Sequence, residues 1–468
     1  MKKRYEGDCT TILVGKKASI DGSTMIARNE DGHEAIGPKQ FILVKPEDQP
    51  KHYKAILSKL ELDLPDNPLP YTCMPDATRE RGIWGEAGIN SRNVAMSATE
   101  TITTNARILA ADPYVENGFG EEDIFTLVLP YIHSAKEGIL RMAKLLETYG
   151  TYEPNGIAFS DADEIWWIET IGGHNWAAIR VPDDSYVVAS NRFGIDQFDF
   201  NSPDCMYSKG LPKLIDDYKL NPLPNGPLNL RKIFGSYLTK DHHYNNPRVW
   251  YVQRYFNPKI EQDPQDGDIP FVRKADQLIT PEDIKFLLSS HYEDTPFDPY
   301  DLASPNRRLF RPIGINRNHC AHILQIRNDV PSELAGLHWV GFGPNSFNSF
   351  VPFYSNISET PTRYKDTTGT CDMNNMYWLS CNLALLGDAN YDLYKDSHTK
   401  YLLDATASYR KRIQDADKEA MNMDDVQAYL ETVNREQSED SYDRANALLQ
   451  EMMEVGTTHM ILRYTQGD

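Results

Sequence analysis

The sequence predicts an α+β protein. Three observations carry that expectation. Short β-type runs come in clusters joined by Gly, Asp and Pro turns, helical periodicity falls in separate blocks, and no regular βαβ alternation is present. Strands, then helices, then strands again suit segregated layers better than a parallel sheet with crossover helices.

The first cluster lies near the N-terminus. Cys9 precedes the run Thr10-Thr11-Ile12-Leu13-Val14, a polar turn follows at Asp21-Gly22-Ser23, and Thr24-Met25-Ile26-Ala27 leads into Arg28-Asn29-Glu30-Asp31. Two β-rich runs joined by a Gly-containing turn predict a hairpin or two neighbouring strands. That pairing brings the end of the second run beside the start of the first. Cys9 then faces Arg28 and Asp31, an expected ion pair, and a neighbouring guanidinium favours a thiolate. A cysteine at a strand start is also an ordinary small buried residue, so residue type alone leaves both readings open.

The middle of the chain alternates strands and helices in blocks. Gln40–Val44 reads as a strand, and Pro65 to Pro70 as an irregular connection. Gly82-Ile83-Trp84-Gly85-Glu86-Ala87-Gly88 reads as a turn needing close backbone approach or positive φ, followed by a β run at Val94–Glu100. Residues 121–149 read as two helices. Ser134 and Glu137 have capping-box spacing, Ile139, Met142, Ala143 and Leu146 share one face, and Gly150 suits the position after the helix end. A meander of four strands is expected at Gly156–Ser160, Glu164–Thr170, His174–Val181 and Tyr186–Ser190, paired antiparallel across short turns. Residues 201–257 are irregular and helical by turns. Further β runs are expected at Arg311–Ile315, Ala321–Arg327, Leu337–Phe342 and Phe350–Tyr354. From about Pro361 the character changes. Leu402, Ala405, Tyr409, Ile413, Ala416 and Ala420 mark one amphipathic helix, and Ala445, Leu448, Leu449, Met452 and Met453 another. Two readings of this helical layer stand, a layer that covers the rest of the chain or joins copies into a homo-oligomer, or a solvated face without a partner.

Composition excludes several classes. The chain has 468 residues, a net charge of −20 and an ordinary 40% hydrophobic content, so a substantial core is expected and a basic nucleic-acid surface is not. No run of about 18 apolar residues occurs, so no membrane span is expected. The six cysteines are dispersed without a CxxC pair, which suits a reducing, cytoplasmic setting. Neither His242-His243 nor the pair His319 and His322 has zinc-site spacing, and His322 reads as a buried, hydrogen-bonded histidine.

The wording from Cys9 to Asp31 resembles the opening of the N-terminal-nucleophile hydrolases, in the branch holding cysteine dipeptidases, bile-salt hydrolases and penicillin V acylases. Within that branch it is very similar to bacterial cysteine dipeptidases, and weaker family-like stretches recur to about Tyr354. The resemblance implies a four-layer αββα fold, with residues 1–8 a leader removed on maturation and 9–360 the hydrolase domain. Residues 361–468 are then a helix-rich extension packed on it. It also implies catalytic roles for Cys9, Arg28, Asp31 and Asn191. Tyr244–Trp250 resembles the dipeptidase segment that carries a further arginine, Arg248, with Arg254 as its rival. Gly85 matches the position supplying a backbone N–H to the oxyanion. The implied substrates are dipeptides, with no metal or organic cofactor. A related amide hydrolase acting on bile-salt- or penicillin-like amides, and a catalytically silent binding protein of the same fold, remain the alternatives.

Overall fold

The computed structural model describes residues 8–34, 36–78, 80 and 82–460. Of the expected leader, only Asp8 falls among them. The strands in chain order begin with β1 (Asp8–Val14), β2 (Thr24–Asp31), β3 (Ile42–Val44), β4 (His52–Lys54), β5 (Glu61–Asp63) and β6 (Tyr71–Cys73). They continue with β7 (Ala87–Ile89), β8 (Ala95–Thr101), β9 (Asn155–Ser160), β10 (Ile165–Thr170), β11 (Trp176–Val181) and β12 (Tyr186–Ala189). The last are β13 (Cys205–Tyr207), β14 (Val272–Arg273), β15 (Asn318–Ile326), β16 (Gly336–Phe342) and β17 (Val351–Tyr354). One sheet of seven strands runs β14-β12-β1-β2-β15-β16-β17, and one of six runs β13-β11-β10-β9-β8-β7. The mixture of antiparallel sheet and segregated helix is the expected α+β class.

Strand alternation sorts the side chains of β1 and β2. Leu13 and Ile26 pair across the hairpin and pack with Ala158, Trp167 and Ala177 of the six-stranded sheet. Ile12, Val14, Met25 and Ala27 point the other way, onto Val249 and Val252 of the helix Asn246–Phe256 and Ile284 and Leu287 of the helix Pro281–Ser289. On the far side of the six-stranded sheet, Ile157, Phe159, Trp166 and Ile168 pack with Ile139, Met142 and Leu146 of the helix Ala135–Tyr149. Ser134 accepts a hydrogen bond from the Glu137 amide at 3.2 Å and Gly150 has φ +72°, so both expected ends of that helix form.

Two expectations are corrected. The fourth meander strand, β12, leaves the meander and pairs with β1, while β11 takes β13 as its neighbour instead. The Pro182–Ser185 turn crosses between the sheets, because Gly15 and Lys17 donate backbone hydrogen bonds to Ser185 and Asp183 at 3.0 and 2.8 Å. A side chain at Gly15 would meet the Asp183 carbonyl at 2.4 Å, so the crossing requires glycine there. The segment Arg311–Ile315 is no strand. Its amides donate to helix ends instead of a neighbouring strand, Arg311 to the His243 carbonyl at 3.0 Å and Ile313 to that of Ser290 at 3.1 Å.

The C-terminal helices Tyr391–Ala420 and Val426–Thr458 cover the sheet edge at β17, and the helix Met376–Ala389 packs beside them on β16. The Asn434 side chain exchanges two hydrogen bonds of 2.9 Å with the Tyr354 backbone, occupying polar groups that an edge strand otherwise exposes. Ala405, Tyr409, Ile413, Ala416 and Ala420 are buried as their spacing predicts.

Candidate active site

Cys9 sits at the start of β1 with its side chain on the face turned to the six-stranded sheet, and is 1% exposed. Arg28 is displaced by two pairs, opposite Thr11, and shares that face. Its Nη1 donates to Cys9 Sγ at 3.1 Å and to the Thr99 carbonyl at 2.8 Å, and Nη2 donates to the Ala98 carbonyl at 2.9 Å. Nε reaches Ser97 Oγ at 3.3 Å, and that hydroxyl also lies 2.9 Å from His322 Nε2. The guanidinium is therefore fixed by β8 before any substrate arrives. His322 is buried and hydrogen-bonded as the sequence suggests, and burial holds its pKa well below the ordinary value.

The expected ion pair between Arg28 and Asp31 does not form. Arg28 pairs with Glu86, while Asp31 pairs with Arg311 at 2.5 Å and accepts from Asn318 at 3.0 Å. Three residues apart on a strand, positions 28 and 31 face opposite sides of the sheet. Glu86 is in turn bound by Lys39 at 3.2 Å, and Lys39 also contacts Glu30 and Asp76, each at 2.7 Å. Burial pushes the Glu86 carboxyl up to about 7, with Glu30 adding to the rise and Lys39 and Arg28 opposing it.

The second arginine is Arg248, fully buried on the helix Asn246–Phe256. It donates to the Cys9 carbonyl, to Thr10 Oγ1 at 2.8 Å, and to the side-chain oxygens of Asn191 and Asn245, each at 2.7 Å. Arg254, its rival, is exposed and lies over the Trp250 ring at 5.7 Å. Asn191 follows β12, whose Ala189 pairs with Thr11, and its Nδ2 donates to the Thr101 carbonyl at 3.0 Å. Gly85 lies buried beside Glu86, in a loop where Trp84 and Glu86 both have positive φ. A side chain at Gly85 would meet the Phe125 ring at 2.5 Å.

Burial pushes the Cys9 thiol well above its ordinary range. Arg28 opposes that rise, and Glu100, Glu121 and Asp31 add to it. With residue 8 attached, the thiol is held protonated, and Arg28 alone does not deliver the expected thiolate. Glu100 accepts from Thr11 Oγ1 at 2.7 Å and is pushed up to about 8, chiefly by burial.

Sequence reasoning missed Glu86, Lys39, Glu100, Tyr244, Arg311 and Arg317. Tyr244, Lys240 and Arg317 surround the Asp8 carboxylate, Arg317 at 3.3 Å and Lys240 at 4.0 Å. Glu86 was within reach, since it stands inside the Gly85-Glu86-Ala87-Gly88 element, where only the glycine backbone attracted a role. Among the described residues, no group of three or more His, Cys, Asp or Glu side chains is placed to hold a metal ion.

A buried thiol held by one fixed arginine, in a residue whose carbonyl is held by a second, at the start of a central strand is the chemistry of a cysteine hydrolase. Residues 8–404 match the sequence model of peptidase family C69, and the chain belongs to that family. It is 56% identical to a protein of Lactococcus lactis named "Probable dipeptidase B", over 100% of both chains. It is 52% identical to "Dipeptidase A" of Lactobacillus helveticus, over 98% of each. The identity is 35% with "Probable dipeptidase" of Salmonella dublin, covering 75% of this chain and 81% of that one.

Proposed function

We propose that this protein is a cysteine dipeptidase whose nucleophile is Cys9, exposed as the N-terminal residue by removal of residues 1–8. The observation that carries the reading is the Cys9–Arg28 contact of 3.1 Å, in a chain similar over its whole length to proteins named as dipeptidases. The facing sheets with helices on both outer faces support the four-layer αββα arrangement of the N-terminal-nucleophile hydrolases. Residues 361–468 form the extension packed on that unit.

Maturation proceeds on the Asp8–Cys9 bond. The thiol attacks the Asp8 carbonyl and the peptide nitrogen leaves as the free amine of Cys9. Water then opens the thioester, releasing the leader as a carboxylic acid and restoring the thiol. That amine, with a reference pKa of about 7.7–8.0, takes the thiol proton near neutral pH. The thiolate attacks the dipeptide carbonyl, the ammonium returns the proton to the departing amine, and water then opens the thioester, releasing the first residue as a carboxylic acid and restoring the thiol. Arg28 supplies positive charge to the sulfur. Asn191 and the Gly85 N–H serve the oxyanion, each such donor contributing roughly 3–4 kcal/mol. Arg248 fixes the Cys9 carbonyl and the Asn191 amide together. Asp31 acts through Arg311 and the strand end instead of through Arg28. No cofactor takes part. Dispersed free cysteines support a cytoplasmic setting, and no helix among the described residues is long and apolar enough to cross a membrane.

The test is a comparison of turnover between a dipeptide and a conjugated bile salt. Preferred hydrolysis of the dipeptide supports this reading, and preferred hydrolysis of the bile salt replaces it with the acylase-type alternative.

A further inference from the structure

The Asp8 side chain does not point idly from the scissile residue. Its carboxylate accepts from the Tyr244 hydroxyl and from Arg317 at 3.3 Å, with Lys240 at 4.0 Å. Lys240 lies over the Tyr244 ring at 4.3 Å, and Arg311 and Arg248 flank the same ring at 5.1 and 5.2 Å. Burial raises the Asp8 pKa, but the Tyr244 hydroxyl and the charges of Arg311, Arg248 and Lys240 outweigh it and hold the carboxyl below its ordinary value. The pocket is thus built for an anion. Among the described residues Asp8 is the carboxylate that pairs with both Arg317 and Lys240. Arg311 already has Asp31. Removal of residue 8 leaves Arg317 and Lys240 facing an empty site beside Cys9.

Covalent spacing says what refills it. In Asp8 the attacked carbonyl carbon reaches the carboxylate carbon through Cα and Cβ. In a dipeptide the attacked carbonyl carbon reaches the terminal carboxylate carbon through N and Cα, the same number of bonds. A dipeptide whose carbonyl sits over the thiol with its amide nitrogen in the place of the Asp8 Cα carries its terminal carboxylate to the same cations. We propose that the site formed by Tyr244, Lys240 and Arg317, which holds the Asp8 carboxylate before processing, takes a substrate carboxylate afterwards. The proposal rests on the dipeptidase reading and on removal of residue 8. An acidic side chain on the first residue of the substrate has the same spacing as the terminal carboxylate. The chemistry recognised is the same, and the source is settled by substrate choice.

The experiment uses processed enzyme with its N-terminus verified, and measures KM for alanyl-alanine, alanyl-alanine amide and aspartyl-alanine. The expected result is a KM for the amide at least about tenfold above that of the free acid, the scale of one charge-assisted contact. That ratio should shrink several-fold in both Lys240→Gln and Arg317→Gln. A gain confined to aspartyl-alanine, and lost in the same variants, assigns the site to the substrate side chain. Lys240 is half-exposed, so its variant is read even if Arg317→Gln folds poorly. Equal KM values for all three substrates, or a preference that survives in both variants, overturn the proposal while leaving the dipeptidase reading intact. A wild-type enzyme that hydrolyses no dipeptide defeats that reading, and this proposal with it.

Discussion

Arg28 takes its carboxylate from Glu86 and not from Asp31, although Asp31 lies three residues away on the same strand. The pair is fully buried, so breaking it leaves an uncompensated charge in the interior. Glu86→Gln keeps the shape and removes one charge from the line Arg28–Glu86–Lys39. It should destabilise the protein by about 3–5 kcal/mol, the usual cost of removing one partner of a buried ion pair. A urea titration at pH 8.5, where the Glu86 carboxyl is ionised, measures this, and an unchanged midpoint would show that Arg28 and Lys39 do not depend on Glu86.

The two candidate arginines should separate cleanly. Arg248 joins the Cys9 carbonyl, Thr10, Asn191 and Asn245, whereas Arg254 is exposed. Arg248→Lys cannot span those acceptors and should lower kcat/KM by at least about tenfold, equivalent to about 1.4 kcal/mol. Arg254→Met should stay close to wild type, since exposed substitutions are worth about 0.5 kcal/mol or less. The reverse order would move the site arginine to position 254.

Stability should fall with rising pH through Glu100. Its carboxyl is raised from 4.5 to about 8, so the folded state holds a proton that the unfolded state gives up. The associated stability is fully present below about pH 4.5 and is lost as pH climbs through 8. Glu100→Gln keeps an acceptor for the Thr11 hydroxyl and has nothing to titrate. Its Tm, relative to wild type, should therefore rise between pH 5 and pH 8.5. A constant difference across that range would mean that Glu100 ionises normally in the fold.

The contact of Cys9 with Arg28 was legible because both residues lie in one stretch, while its supports were not. The Cys9 to Asp31 wording carries the thiol, Arg28 and the hairpin, and alternation in β1 and β2 is enough to pair them. The partner of Arg28 depends on which face each residue takes, and an odd spacing of three sends Asp31 to the helix side. Glu86 arrives from a loop 58 residues further along, and Lys39 from an irregular connection. Long-range pairings of that kind leave no periodic signal. The β12 misplacement has the same origin: a short Pro-Asp-Asp-Ser turn looks like a hairpin, and only its contact with Gly15 sends the next strand to the other sheet.

Activity should survive chelation and be lost to thiol alkylation. Cys371 is exposed and will react first, so the experiment is run on Cys371→Ser. Iodoacetamide should inactivate that variant once Cys9 is modified, while EDTA leaves its rate unchanged. Loss in EDTA with recovery on adding zinc would bring a metal into the mechanism.

The central claim is that Cys9 acts as an N-terminal residue. The most direct measurement is N-terminal sequencing of active protein, paired with its intact mass and with the same measurements on Cys9→Ala. Active enzyme should read Cys-Thr-Thr-Ile. Cys9→Ala, which has no thiol to attack the Asp8 carbonyl, should keep residue 8 and show no turnover above background. Fully active protein that uniformly retains Asp8 ahead of Cys9 would contradict the account.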